Sequence, residues 1–436
     1  MMQLSVSLSC VLLIGIAWWK LNAYVFGDIL SPFNILLFFW IAPFIISFSG
    51  LSDLQQGIAT GPLVTILMAT GVMIVTLTVP NLFAIQVPRS PLDRGAKFGV
   101  TTGTIDRLVL MSFVLVLVAL IVKIYTEFSD GIPLFAYLDS TKSSAILHRF
   151  GKDSKLQIFA QMLPIGGLLS WYCVLQASGR PVVRVLAVLL AFIPLVAGIM
   201  KTSKSDIIEP IFLYLIIYYY LRPGSWRVCK IKFLALAVMS IMALWCVTEI
   251  RLSGQHSVIY ADAIAFDAKR LLGGGRELFA HPYGYMVLNF ENFSRYNALA
   301  DHELRLGTSM FRPLFSLVMN GAAPNKMLEA VNLNAMLPAA NVGTFLRDLH
   351  VEGGLPMVFL GAFWNSLLIR LAYNNFRRRR DDVSMVVYAT LLFPWSLLFF
   401  TNSFSVLTVY SNCFVAAAIL FLAQNKTDRS NTDSTS

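Results

Sequence analysis

Long apolar runs constrain this chain more than any other feature of its sequence. About 20 apolar residues suffice for a helix to cross about 30 Å of hydrocarbon. Eleven runs of roughly that length occur, at residues 2–19, 32–51, 61–83, 107–124, 156–176, 184–200, 205–221, 231–250, 355–375, 384–402 and 404–423. The sequence therefore predicts an all-α polytopic membrane protein with about eleven spans, and a twelve-span count is the alternative. Residues 1–436 would form a single membrane domain.

Basic residues in the short loops indicate the orientation of these spans. They follow the third, fifth, seventh, ninth and eleventh spans: Arg89, Arg94, Lys97 and Arg107; Arg180 and Arg184; Arg222, Arg227, Lys230 and Lys232; Arg377 to Arg380; Lys426 and Arg429. All of these are odd-numbered ends, which predicts an outer N-terminus and a cytoplasmic C-terminus. The net charge of +10 is thus assigned to the membrane surface, and no nucleic-acid partner is expected.

The predicted orientation places one large loop outside the membrane. It covers residues 251–353, between spans eight and nine, and we expect it to contain short amphipathic helices. All five histidines also fall on the outer side. The polar residues 424–436 are predicted to form a disordered cytoplasmic tail.

The most charged stretch beside a predicted span is NVGTFLRDLHVEGGLPMVFLG, residues 341–361. Asn341 is a suitable cap for a helix over about 342–351, and two glycines followed by a proline would end it and begin the next helix. Arg347 and His350 are three residues apart and share one face of this helix. Asp348 and Glu352 are four apart and share the neighbouring face. The alternative is an interfacial helix with solvated charges and an internal ion pair.

A second candidate is KTSKSD, residues 201–206, between two spans on the outer side. Hydroxyl groups, Lys201, Lys204 and the N-terminus of a following helix would converge there, which is typical of an anion site. Two lysines that merely end a hairpin are the alternative.

Other polar features carry less information. Arg251 opens the large loop and is either an interfacial anchor or a phosphate ligand. Asp301 and Glu303 form an acid pair of the kind that holds metals, but such pairs are common by chance, so no metal site is predicted. The sequence contains no phosphate-binding loop, HExxH or GxSxG motif, so nucleotide-driven transport has no support.

Residues 341–361 resemble the stretch found just before a late span in the O-antigen polymerase family, the oligosaccharide repeat unit polymerases. Further similarities are GIPLF at 131–135, the Ser/Thr/Lys hairpin followed by YYYL at 218–221, and GTSMFRPLFSLVMNGAAPNKM in the large loop. Two departures are Lys204, where several members have arginine, and His350, where they have an aromatic residue.

The resemblance implies a glycosyltransferase on the periplasmic face of a bacterial inner membrane. Its substrate would be an undecaprenyl-pyrophosphate-linked oligosaccharide, and the growing glycan would move to the non-reducing end of an incoming repeat unit. Membrane lipids and a chain-length regulator protein are the implied partners, and no cofactor is required.

The residues already named then receive roles. Arg347, Arg251, Lys204 and Lys201 would bind the leaving pyrophosphate. His350 is the first candidate for the base that activates the sugar hydroxyl, Glu352 is the second, and Asp348 would orient the base.

Two other functions compete with polymerisation. An O-antigen ligase would use the same donor, face and fold. A flippase or other transporter of lipid-linked oligosaccharides would place ionisable residues near the middle of the membrane. The sequence favours the enzymes, because its ionisable residues are assigned to outer span ends and to the large loop.

Overall fold

A computed structural model describes residues 28, 30–48, 58–79, 101–129, 157–177, 180–200, 204–221, 289–297, 310–311, 344–399, 404 and 407–432. Its helices, numbered in chain order, are α1 (Pro32–Ile46), α2 (Thr60–Thr78), α3 (Thr102–Ser129), α4 (Gln157–Ala160), α5 (Leu163–Gln176), α6 (Pro181–Met200), α7 (Lys204–Leu221), α8 (289–297), α9 (Phe345–Arg379), α10 (Asp382–Ser396) and α11 (Leu407–Thr432). These ranges contain no strand.

Six of the described helical segments are long and apolar enough to cross a membrane, as expected for an all-α membrane protein. They are Thr60–Thr78, Thr102–Thr126, Ile158–Gln176, Pro181–Ile199, Phe345–Arg379 and Leu407–Gln424. The predicted first and eighth spans, and most of the large loop, lie outside the described residues. The count of eleven spans therefore stays a prediction.

Large apolar side chains on α3 and α6 are exposed in the structure. They include Leu110, Phe113 and Ile121 on α3, and Val182, Leu189 and Phe192 on α6. Continuous apolar exposure of this extent is rare on proteins surrounded by water. It suits helices whose outer faces contact hydrocarbon.

Contacts divide the chain into two compact units, and the single membrane domain stays a prediction. Unit 1 comprises Met1–Asp93, His256–Arg378 and Pro394–Val409, and unit 2 comprises Arg94–Gln255, Arg379–Phe393 and Tyr410–Ser436. The division could not be read from hydropathy, because a hydropathy pattern identifies spans without showing which spans pack together.

In unit 1, Arg370 links α9 to the end of α2. Its guanidinium donates to the carbonyl oxygens of Thr76 and, at 2.6 Å, Val79, although the residue is only 7% exposed. Carbonyl groups at a helix C-terminus have no partner within the helix and favour a cation. Arg370 lies within the predicted span 355–375, so the expectation that ionisable residues avoid the spans is wrong at this position.

In unit 2, close helix contacts depend on small residues. A Cβ atom on Gly166 of α5 would lie 2.6 Å from a methyl carbon of Val116 on α3. A Cβ atom on Gly198 of α6 would lie 2.9 Å from the backbone of Asp206 on α7. The second contact allows the tight α6–α7 hairpin that the sequence predicts around Lys201.

The predicted disorder of residues 424–436 differs from the structure, in which α11 continues to Thr432. Neither glycine nor proline occurs between Leu407 and Thr432. Because strong helix-breaking residues are absent, the helix can extend beyond its apolar part.

Candidate functional site

The long helix α9 changes direction at two glycines, which divide it into a first arm (345–352) and a second arm (355–379). Gly353 has φ −164° and ψ 28°, and Gly354 has φ 67° and ψ −154°. The Gly354 conformation is accessible almost only to glycine. Pro356 lies in the first turn of the second arm, where its missing N–H is tolerated. The break predicted from the sequence is confirmed.

The start of the first arm differs from the prediction of about 342. Thr344 is not helical, and the arm begins at Phe345. The Phe345 N–H donates to the carbonyl oxygen of Leu398 at 3.0 Å, which satisfies one of the free donors at a helix start. The proposed cap, Asn341, lies outside the described residues.

The first arm folds back against the second arm. A Cβ atom on Gly361 would lie 2.3 Å from Leu349 Cδ1, and Leu349 is fully buried. Glycine at 361 therefore permits the close approach of the two arms. This contact fixes the ionisable residues of the first arm relative to the second arm.

Glu352, at the end of the first arm, is fully buried. Its carboxylate accepts hydrogen bonds from the backbone N–H groups of Met310 (2.5 Å) and Phe311 (3.2 Å). Both carboxylate oxygens are therefore used in holding a segment about forty residues earlier in the chain. This geometry favours an anchoring role for Glu352 over the role of base.

Arg347 and Asp348 form an ion pair within the first arm. Arg347 Nη2 lies 3.6 Å from Asp348 Oδ1, and the two side chains are 14% and 18% exposed. Asp348 was predicted to orient His350, and in the structure its carboxylate pairs with Arg347. An arginine that is this well buried acts in an environment of low dielectric, where its charge has a stronger effect than in water.

His350 lies among aromatic rings of α8. Its ring is 6.3 Å from that of Phe293 and 6.3 Å from that of Tyr296, both edge-on. Such geometry is favourable between aromatic rings. The arrangement would also accommodate another aromatic ring at position 350, and it leaves the imidazole only partly buried.

Helix α8 was not singled out from the sequence, although it supplies much of this site. Its polar residues Asn289, Glu291, Asn292 and Ser294 are all buried. Glu291 and Arg295, four residues apart, approach to 3.9 Å. That acid–base spacing in NFENFSRYN was the available signal.

A group of aromatic side chains holds α8 and the first arm to α1. The Trp40 ring lies 5.1 Å from both Phe290 of α8 and Phe345 of the first arm, in edge-on contacts. Trp40 Nε1 donates to Thr70 Oγ1 of α2 at 2.9 Å. Trp40 belongs to a π-helical turn, Leu37–Ile41, within α1. Such turns are frequent at functional sites.

The other predicted site residues are not brought to this cluster by the described structure. Lys201, Arg251, Asp301 and Glu303 lie outside the described residues. Lys204 begins α7 in unit 2, whereas the first arm belongs to unit 1. Their participation in one site stays a prediction.

The start of α7 contains an acidic residue that the anion-site hypothesis did not use. Asp206 lies in the first turn of α7, and its carboxylate is 3.7 Å from Lys123 Nζ of α3. A carboxylate at a helix N-terminus already complements the helix dipole. The structure therefore weakens the case for an anion site at this turn.

Among the described residues, no group of three or more His, Cys, Asp or Glu side chains could hold a metal ion. Comparison with known proteins adds no assignment. The chain matches no family model, no curated protein and no solved structure.

Proposed function

We propose that this protein is a periplasmic-face polysaccharide polymerase of a bacterial inner membrane. It transfers a growing glycan from undecaprenyl pyrophosphate to the non-reducing end of an incoming lipid-linked repeat unit. The observation that carries the proposal is the first arm of α9. This short helix places a mostly buried arginine and a partly buried histidine at the start of a membrane helix.

Arg347 has the role of stabilising the leaving group. A hydroxyl oxygen of the acceptor sugar attacks the anomeric carbon of the donor, and the bond from that carbon to the pyrophosphate oxygen breaks. The electron pair leaves with undecaprenyl pyrophosphate, so negative charge increases on the pyrophosphate in the transition state. A planar guanidinium placed there lowers the barrier, because its N–H donors match phosphate oxygens.

His350 has the role of accepting the proton from the attacking hydroxyl. A neutral imidazole has one nitrogen that accepts a proton. Glu352 is less suited, because its oxygens accept the N–H groups of Met310 and Phe311. Glu352 instead holds residues 310–311, which belong to the segment similar to the polymerase family, beside the first arm.

Reconstitution tests the proposed activity. The purified full chain in vesicles, supplied with an undecaprenyl-pyrophosphate-linked repeat unit, is expected to form a ladder of longer glycans and to release undecaprenyl pyrophosphate. A chelator should not change the yield, because the donor is already activated. No ladder from folded protein would contradict the proposal. If a chelator abolished glycan synthesis and a divalent ion restored it, the metal-free mechanism would be wrong, and Asp301 and Glu303 would become the candidate metal ligands.

Replacing His350 by phenylalanine separates proton transfer from packing. Phenylalanine keeps an aromatic ring beside Phe293 and Tyr296, so the thermal unfolding temperature should change little. Removing a general base typically lowers the rate by about 10²- to 10⁴-fold. Polymer yield and unfolding temperature should be measured on the same preparation. Full activity in His350→Phe would show that the histidine only occupies an aromatic position.

A further inference from the structure

An open groove of about 530 Å³ lies where α5 ends and α6 begins, in unit 2. Its lining residues are Ala177, Arg180, Pro181, Arg184, Val185, Val188 and Leu189. Arg180 and Arg184 lie at the start of α6, and the remaining lining side chains are apolar. The groove is therefore amphipathic along the direction of α6.

The charged end of the groove has a net positive charge. Arg180 Nη1 bonds to the carboxylate of Asp106 on α3, with both side chains nearly half exposed. Arg184 is exposed, and no ion pair to it occurs in the part of the chain that the structure describes. The N-terminus of α6 adds a partial positive charge at the same end. An anionic ligand group is favoured there.

The apolar end of the groove continues into the exposed face of α6. Val185 and Leu189 are 59% and 60% exposed, one turn apart. With a rise of about 1.5 Å per residue, Leu189 lies about 8 Å along the helix from Arg184. A ligand that fits both ends has an anionic head and a hydrocarbon chain lying along the helix.

We infer that this groove binds one anionic phospholipid. Arg184 and Arg180 hold its phosphate, and an acyl chain lies against Val185, Val188 and Leu189. The predicted topology assigns this end of α6 to the cytoplasmic surface, where anionic lipids attract basic residues. Arg347 and His350, which carry the proposed polymerase activity, belong to unit 1, and the inference does not rest on that activity.

Native mass spectrometry of the full chain in mild detergent tests the inference. The protein is titrated with an equimolar mixture of phosphatidylglycerol and phosphatidylcholine. Wild type should retain one phosphatidylglycerol in preference to phosphatidylcholine. Arg184→Gln should weaken that binding about fivefold, as expected for the loss of one basic residue at a lipid surface.

Two further variants make the result decisive. Leu189→Trp fills the apolar end and should weaken phosphatidylglycerol binding while both arginines remain. Arg378→Gln removes another exposed arginine, on α9 and outside the groove, and should bind as wild type does. Equal retention of the two lipids by wild type, or equal losses in Arg184→Gln and Arg378→Gln, would overturn the inference.

Discussion

Arg347→Ala is expected to reduce polymer formation by about 10²- to 10³-fold, the usual loss when one donor to a developing negative charge is removed. The effect should be large because the Arg347 side chain is only 14% exposed, so its charge is weakly screened. Polymer amount and length should be measured by gel analysis of lipopolysaccharide, with protein level followed by immunoblot.

Two matched variants isolate the guanidinium. Arg347→Lys keeps the charge and loses the planar fork, so an intermediate yield is expected. Arg378→Ala removes an exposed arginine from the other end of the same helix and should have no effect. Unchanged polymer in Arg347→Ala at normal protein level would exclude the pyrophosphate role.

Glu352→Ala is expected to destabilise the protein rather than to affect chemistry alone. The change leaves the partly buried N–H groups of Met310 and Phe311 without their carboxylate acceptor, and a fully buried donor in that state costs about 1–3 kcal/mol, which is the upper bound for each. The thermal unfolding temperature should fall by several degrees, since about 1 kcal/mol corresponds to roughly 2–4 °C in large domains.

Glu352→Gln distinguishes anchoring from catalysis. Glutamine retains one acceptor oxygen but turns an NH₂ group towards backbone donors. An anchoring glutamate predicts a smaller loss of stability, with activity falling in proportion to the folded protein. Normal stability with abolished activity would instead assign the base to Glu352.

The parts of the fold that were predicted from the sequence depend on local signals. Apolar runs predicted the helices. The glycine pair before Pro356 predicted the break in α9, because backbone conformation at such positions depends on the residues themselves and their neighbours. The hairpin of α6 and α7 was also predicted, from the short polar stretch between two apolar runs.

The contacts that organise the site are distant in sequence and could not be predicted in this way. Glu352 binds residues 310–311, and His350 contacts α8, which begins about sixty residues earlier. A single sequence shows ionisable residues without their partners. Arg347 and Asp348 are neighbours in the sequence. Even so, the spacing of the charged residues does not show whether Asp348 pairs with Arg347 or with His350.

The same limit applies to Arg370. Hydropathy shows only that Arg370 interrupts an apolar run. In the structure its guanidinium donates hydrogen bonds to the carbonyl oxygens of Thr76 and Val79 at the end of α2. Because its partners are backbone groups at a helix end, Arg370 is explained by structure and does not by itself favour a transporter.

The lipopolysaccharide of a strain that lacks this chain tests the polymerase proposal most directly. Loss of a polymerase should leave core carrying one repeat unit, and the wild-type gene should restore the ladder where Arg347→Ala does not. Core without any repeat unit, with polymer retained on the carrier lipid, would identify a ligase. Loss of both attached and carrier-bound polymer would indicate a flippase, and either result would contradict the polymerase.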